Sequence, residues 1–314
     1  MPFLRFRRAL RASGLICGAL AATYACERSV PAARTDSVVL PAEKVSVAPT
    51  KEAGESGWNR LAGPVLLIQG ETREEAIVLP PWDGDSASLD VLGRLGGESV
   101  NAVLFGRGGA RFTAQLGARP PSLDRECRVW PLRAVHGEGA ASSWAVGFVG
   151  GDVMSLALDS VDDLSSRDSM ALVAEASRLA SAVTTTTPPS FQGLRFTAHD
   201  IRRFEASPGV HALVAHLVRK VNQEANPQEE QTLLIAERDS GATTGPYQLV
   251  YADRSHGREE ESVTPEVIAA VRVAGVPTLV LARDGDAGVA YLLLERKGPR
   301  QWRVRWTSGM TRCG

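Results

Sequence analysis

From Trp58 onward the chain consists of short apolar runs separated by glycine, proline, asparagine and aspartate. Residues 64–68 (PVLLI) read as a strand, and Glu75–Leu79 can pair with it across Gly70-Glu71-Thr72. Val100–Phe105 is another, turned by Gly106-Arg107-Gly108-Gly109 into 110–116. Residues 127–132, 144–149 and 153–158 continue the series, the last after Gly150-Gly151-Asp152. Closely spaced short strands with glycine-rich turns predict antiparallel β-structure.

One segment has a different period. Leu164, Met170, Leu172, Val173, Ala176, Leu179, Ala180 and Val183 recur mostly at helical spacing. Ser165, Ser166 and Asp168 are suited to cap the first turn. The pattern predicts one prominent helix over 166–183, ended by the threonines 184–187 and by Pro188-Pro189.

The β pattern then resumes. Val210–Val221 and 232–237 flank an acidic, polar connection at 222–231, and 246–251 follows. Thr264–Val273 reads both ways: Pro265 suits a first helical turn, whereas Val267, Ile268, Val271 and Val273 favour a strand. A meander closes the chain, with strands at 278–282, 289–295 and 302–307 joined through Asp284-Gly285-Asp286-Ala287-Gly288 and Lys297-Gly298-Pro299-Arg300. Simple alternation in the last strand places Trp302, Val304 and Trp306 on one face and Arg303 and Arg305 on the other. The expected class is mainly β, with α+β as the alternative: antiparallel meanders in a sandwich, barrel or propeller-like arrangement plus one helix.

The N-terminus is patterned for export. Arg5, Arg7, Arg8 and Arg11 form a basic head, followed by an apolar stretch over 14–25 and then Cys26. About a dozen apolar residues fall short of the roughly 20 needed to cross a bilayer, and the layout is that of a cleaved signal. Thr23-Tyr24-Ala25-Cys26 resembles the cleavage region of bacterial lipoprotein signals, although Thr23 stands where leucine is usual and Tyr24 is bulkier than usual. The resemblance covers residues 1–26 only. It implies a lipid on Cys26, an anchor in the bacterial cell envelope facing the periplasm or the surface, and a mature chain beginning at Cys26. Ordinary cleavage after Ala25, with no lipid, is the alternative those small residues leave open; Arg7-Arg8 is only a fragment of a twin-arginine motif.

Residues 26–57 are rich in Ala, Pro, Ser, Thr and charge and lack a sustained period, the composition of a tether. The expected organisation is therefore a signal over 1–25, a tether over 26–57, a β-rich half over 58–187 ending in the helix, and a β-rich half over 188–314 that packs with the first or stands apart. The four cysteines are Cys17, Cys26, Cys127 and Cys313. Cys17 leaves with the signal, and a lipid on Cys26 leaves Cys127 and Cys313 as an expected disulfide pair in an oxidising compartment.

Charge and motifs exclude more than they assign. Removing residues 1–25 takes away four arginines and no acid, leaving 31 basic against 36 acidic residues and a net charge of −5. That balance argues against a nucleic-acid partner. Asp284, Asp286 and Glu295 imitate a calcium loop, but the required glycine is out of place, so a hairpin turn accounts for them better. Asp83, Asp85 and Asp90 beside Trp82 read likewise as turn chemistry. His211 and His216 are spaced too poorly to share a metal, and His199-Asp200 has no nucleophile elbow to serve. No catalytic, metal or cofactor residue is assigned. The strongest charge feature is Arg296, Lys297, Arg300, Arg303 and Arg305, with no acid after Glu295. It is read as a solvated strand face or a contact for an anionic surface such as lipid headgroups or acidic polysaccharide. The functional expectation is an exported, lipid-anchored envelope protein that binds or assembles without catalysis. Its partners are the membrane, through Cys26, and an envelope protein or polysaccharide. The competing expectations are an extracytoplasmic hydrolase using scattered carboxylates and a purely structural envelope partner.

Overall fold

A computed structural model describes residues 65–79, 100–117, 129–137, 143–149, 152–183, 188–221, 226–239 and 245–310, all in one compact unit spanning Lys44–Gly314. The signal and tether expected over 1–57, all four cysteines and Asp83, Asp85 and Asp90 lie outside the described residues.

The first strands close into a barrel. They are β1 (Val65–Gln69), β2 (Glu75–Leu79), β3 (Val100–Phe105), β4 (Arg111–Leu116), β5 (Val129–Gly137) and β6 (Val146–Val149), in the order β1-β2-β5-β4-β3-β6. Val65, Leu67, Val78, Leu104, Phe112, Leu116, Trp130 and Trp144 fill the interior. The barrel wall has two kinds of outer surface. On β1 and β2 the outward residues Leu66, Ile68, Ile77 and Leu79 are also buried, which is why these strands read as unbroken apolar runs. On β4, Arg111, Thr113 and Gln115 point to solvent between the buried Phe112, Ala114 and Leu116, giving strict alternation.

Two five-stranded antiparallel sheets and a helix make up the rest. One sheet orders β7 (Val153–Leu156), β13 (Thr264–Val273), β14 (Val276–Gly285), β15 (Gly288–Gly298) and β16 (Gln301–Thr307) as β16-β15-β14-β13-β7. The other orders β8 (Asp159–Ser160), β9 (Thr197–Ser207), β10 (Val210–Val221), β11 (Gln228–Asp239) and β12 (Gln248–Arg258) as β12-β11-β10-β9-β8. The β13–β16 sheet is the middle layer. Ile268, Val271, Val280, Leu293 and Trp306 pack on the barrel wall, while Val267, Leu279, Leu281, Leu292 and Leu294 pack on Val214, Leu233 and Ile235 of the other sheet. The far face of that second sheet, through Leu213, Leu217 and Leu234, holds helix α1 (Ser166–Ser181) by Ala176, Leu179 and Ala180. Ser165 caps the helix by accepting a 3.2 Å bond from the Asp168 amide.

The mainly β, antiparallel class with one helix holds, as a barrel joined to a sandwich. Three features differ from the sequence reading, and one alternative it left open, at Thr264–Val273, is settled. Strand β9 was not expected, and Gln228–Gln231, expected in a connection, opens β11. Both segments are polar because part of their inward face is polar, so alternation of hydrophobicity does not mark them. Thr264–Val273 is strand throughout. The change from barrel to sandwich falls between Val149 and Val153, not near 187, since β7 already pairs with β13. Finally, Trp302 and Trp306 do not share a face. A bulge in β16 opposite Leu293-Leu294 inserts Arg305, so Trp302 turns toward the second sheet and Trp306 toward the barrel. One extra residue reverses the phase of a strand.

Gly147 sits between Leu67 and Leu104 in the ladder, and a Cβ there would lie 2.4 Å from Leu104 Cδ2 and 3.3 Å from Leu67 Cβ. Gly147→Ala is expected to overpack the barrel and cost about 1–3 kcal/mol. Urea unfolding, with an unchanged slope and a lower midpoint, is the check.

Candidate functional site

The C-terminal arginines are largely neutralised within the chain. Arg296 grips Glu237 at 2.7 Å, Arg300 pairs with Asp239 at 3.0 Å, and Arg303 and Arg305 lie 2.8 and 3.9 Å from Glu295. Lys297 is exposed on the same turn. The acids that meet these arginines come from β11 and β15, not from the 259–266 stretch. Asp284 and Gly285 pair with Val289 and Gly288, leaving Asp286-Ala287 as a two-residue hairpin turn, and Glu295 is engaged with arginine at the other end of β15. The four described tryptophans, Trp130, Trp144, Trp302 and Trp306, are all buried.

Glu237 joins the two sheets of the sandwich. It is 1% exposed and accepts from Arg296 Nε and Nη2 at 2.7 and 2.9 Å, from the Arg300 amide at 3.1 Å and from Trp302 Nε1 at 2.6 Å. Burial pushes its carboxyl up, but the bonds from Arg296 and Trp302 outweigh this, and the net effect lies below the ordinary range. On the helix side of the same sheet, Glu230, fully buried, is held between Arg219 at 2.9 Å and Arg254 at 3.4 Å. The Arg219 guanidinium lies over the rings of Phe196 and Phe191, and Arg254 donates to the Ala180 carbonyl at the end of α1.

A third polar row runs along the opposite face of β9, β10 and β11. Lys220 bridges Glu259 and Glu229, Gln231 donates to Glu229, and His216 Nε2 meets Gln231 Oε1. Since that amide oxygen only accepts, His216 carries its proton on Nε2. The exposed His199 ring lies tilted with its centroid 4.8 Å from that of His216, and Asp200 is held by Arg202 at 3.0 Å. Burial pulls the His216 pKa down; the Gln231 bond, Asp200 and Glu229 oppose this, and His199 adds to it. Every buried group in these three rows has a partner within the chain, so they read as architecture.

The solvent-facing half of the barrel differs. Arg111, Thr113, His136 and Gly137 line a shallow cup, widely open to solvent and about 520 Å³, between β4 and β5. Its geometry depends on a bulge. Thr113 faces His136 and Gln115 faces Arg133, so Ala134 and Val135 together oppose Ala114 alone. Ala134 takes φ 49°, a left-handed conformation that costs a residue with a Cβ about 1–2 kcal/mol. On a regular strand Arg133 and His136, three residues apart, would point to opposite faces. The bulge brings both to the outer face, beside Arg111, Thr113 and Gln115. Among the described residues neither Arg111 nor Arg133 has an ion-pair partner, whereas many sandwich arginines do, Arg202, Arg219, Arg283, Arg296 and Arg303 among them. The sequence reading passed over this surface; alternation along β4 signalled an exposed face, but the bulge that completes the cup has no sequence mark.

Comparison of the chain with models of protein families, with curated proteins and with solved structures gave no match.

Removing Glu237 strands Arg296 between the sheets. Glu237→Ala is expected to cost about 3–5 kcal/mol, read as a lower thermal midpoint at neutral pH. Acidification gives a second check. Unfolded histidine takes a proton near pH 6.5 while buried His216 resists it, so stability falls as pH drops through about 6.5 and below. The unfolding midpoint should fall between pH 7.5 and pH 5.5 (roughly one unit either side of that value), and fall less in His216→Gln. An equal slope in the two proteins would assign the pH dependence elsewhere.

Proposed function

We propose that this chain is an exported, lipid-anchored protein of a bacterial cell envelope, with a binding or assembly role and no catalytic step of its own. The N-terminal pattern supports the export and the anchor: four arginines, a short apolar stretch and Cys26 in the context Thr23-Tyr24-Ala25-Cys26. The observation that carries the binding role is the barrel's free face, where a strained bulge holds cationic side chains in solvent around a cup. Ala274 and Arg300 take the same conformation in hairpin turns, so what distinguishes Ala134 is that its bulge turns Arg133 onto the face of His136. The ionisable groups inside the sandwich support the same reading: Glu230 and Glu237 are immobilised by arginine, leaving little freedom for proton transfer.

Intact mass of the protein from an exporting bacterial host, with and without reductant, tests the address. The expected result is loss of residues 1–25, a diacylglyceryl adduct on Cys26 that Cys26→Ala abolishes, and a two-dalton gain on reducing Cys127–Cys313. A chain keeping residues 1–25 with free thiols would return it to the cytoplasm and overturn the proposal. Turnover by the purified protein in a hydrolase screen, lost on substituting a carboxylate, would replace the binding role with catalysis.

A further inference from the structure

We infer that the cup on β4 and β5 is a binding site for a phosphate-type oxyanion. This names the ligand class for the binding role proposed above and rests on that reading for its purpose, though not for its geometry. The side chains that line the cup or stand beside it in the ladder supply donors: the guanidinium groups of Arg111 and Arg133, the Thr113 hydroxyl, and the imidazole of His136. No carboxylate among the described residues lines it.

Spacing favours an anion with at least three acceptor oxygens over a carboxylate. Thr113 and His136 are direct cross-strand partners, with Cβ atoms about 5 Å apart. Arg111 lies two residues along β4 on the same face, about 7 Å away. Three donors at the corners of such a triangle can each meet a separate oxygen of a phosphoryl group. A carboxylate has two oxygens and would leave one corner unmatched. Arg133, beside His136 through the bulge, adds a second full charge at the rim. Gly137 matters for the floor. A Cβ there would lie 2.1 Å from the Phe112 ring, so only glycine lets that ring close the barrel beneath the cup.

Phosphoryl groups reach such a site from two sources, a lipid headgroup or a soluble phosphate ester, and the experiment separates them. The full-length protein purified from the exporting host is labelled with ¹⁵N and titrated with inorganic phosphate. It is then tested for flotation with phosphatidylcholine vesicles that contain or lack phosphatidylglycerol. The expected result is saturable shifts at Arg111, Thr113, His136 and Gly137. Arg111→Gln should weaken them roughly ten- to hundredfold, the loss expected for a charge-assisted hydrogen bond. Thr113→Val should weaken them less. Arg300→Gln, which removes an arginine already paired with Asp239, should leave them unchanged. Phosphatidylglycerol-dependent flotation of the Cys26→Ala protein that Arg111→Gln abolishes assigns the phosphoryl group to lipid. Phosphate shifts without flotation assign it to a soluble ester. Absence of shifts on β4 and β5, or shifts of equal strength in Arg111→Gln, overturns the site. The mass measurement is independent: a lipid on Cys26 with a silent cup would keep the envelope role and move its binding surface elsewhere.

Discussion

Burying both faces of the β13–β16 sheet is the constraint from which the other features follow. With the barrel on one side and the second sheet on the other, its central strands must be apolar at successive positions, as in residues 279–282 and 290–294. Such a sheet has nowhere to put charge except its ends and edges. The arginines of the closing meander accordingly cluster at its margin, where Glu237, Asp239 and Glu295 neutralise them. A layer this apolar also has little to define its alignment on its neighbours, because hydrophobic contact is non-directional.

Directional bonds supply that alignment. Glu237 reaches from one sheet to take bonds from Arg296, Arg300 and Trp302 of the other. Arg107, on the turn between β3 and β4, pairs with Glu266 of β13, tying barrel to sandwich. The Arg219–Glu230–Arg254 row fixes the end of α1 against the second sheet through the Ala180 carbonyl. The Arg107–Glu266 pair is exposed and contributes little; the buried pairs of Glu237 and Glu230 add little net stability over apolar replacements, but breaking one half is costly. Their use here is to select one packing of three otherwise slippery layers.

The barrel carries the same division into covered and free surface. Its β1–β2 side is sealed against the middle sheet, and its β4–β5 side stays in water. On the free side the bulge sets Ala134 in a left-handed conformation, and Arg111 and Arg133 stand there without acidic partners among the described residues. A scaffold held rigid by apolar burial on one side, with donors displayed on the other, is suited to bind an anionic group while the bulk of the fold stays unchanged.

Local pattern alone determined most of the elements: the strands of the barrel, the helix with its Ser165 cap, and the hairpins of the final meander. In each, neighbouring residues carry their own signal, whether alternation, helical period or turn chemistry. It also exposed the calcium-like loop as a hairpin, because residues beyond the turn were apolar. What only the tertiary structure decided are facts about partners distant in the chain. The start of β11 was hidden because Glu229 and Gln231 are buried yet polar, Gln231 bonding Glu229 on its own strand and His216 across to β10. Strand β9 was hidden because most of its residues are polar, Asp200 among them, held by Arg202 of the same strand. The opposed faces of Trp302 and Trp306, and the shared face of Arg133 and His136, each depend on one inserted residue. A bulge is a property of pairing, so a single strand read by itself keeps the wrong phase. Which acids neutralise Arg296 and Arg303 was not legible either, because Glu237 and Glu295 meet them only when the sheets pair and pack.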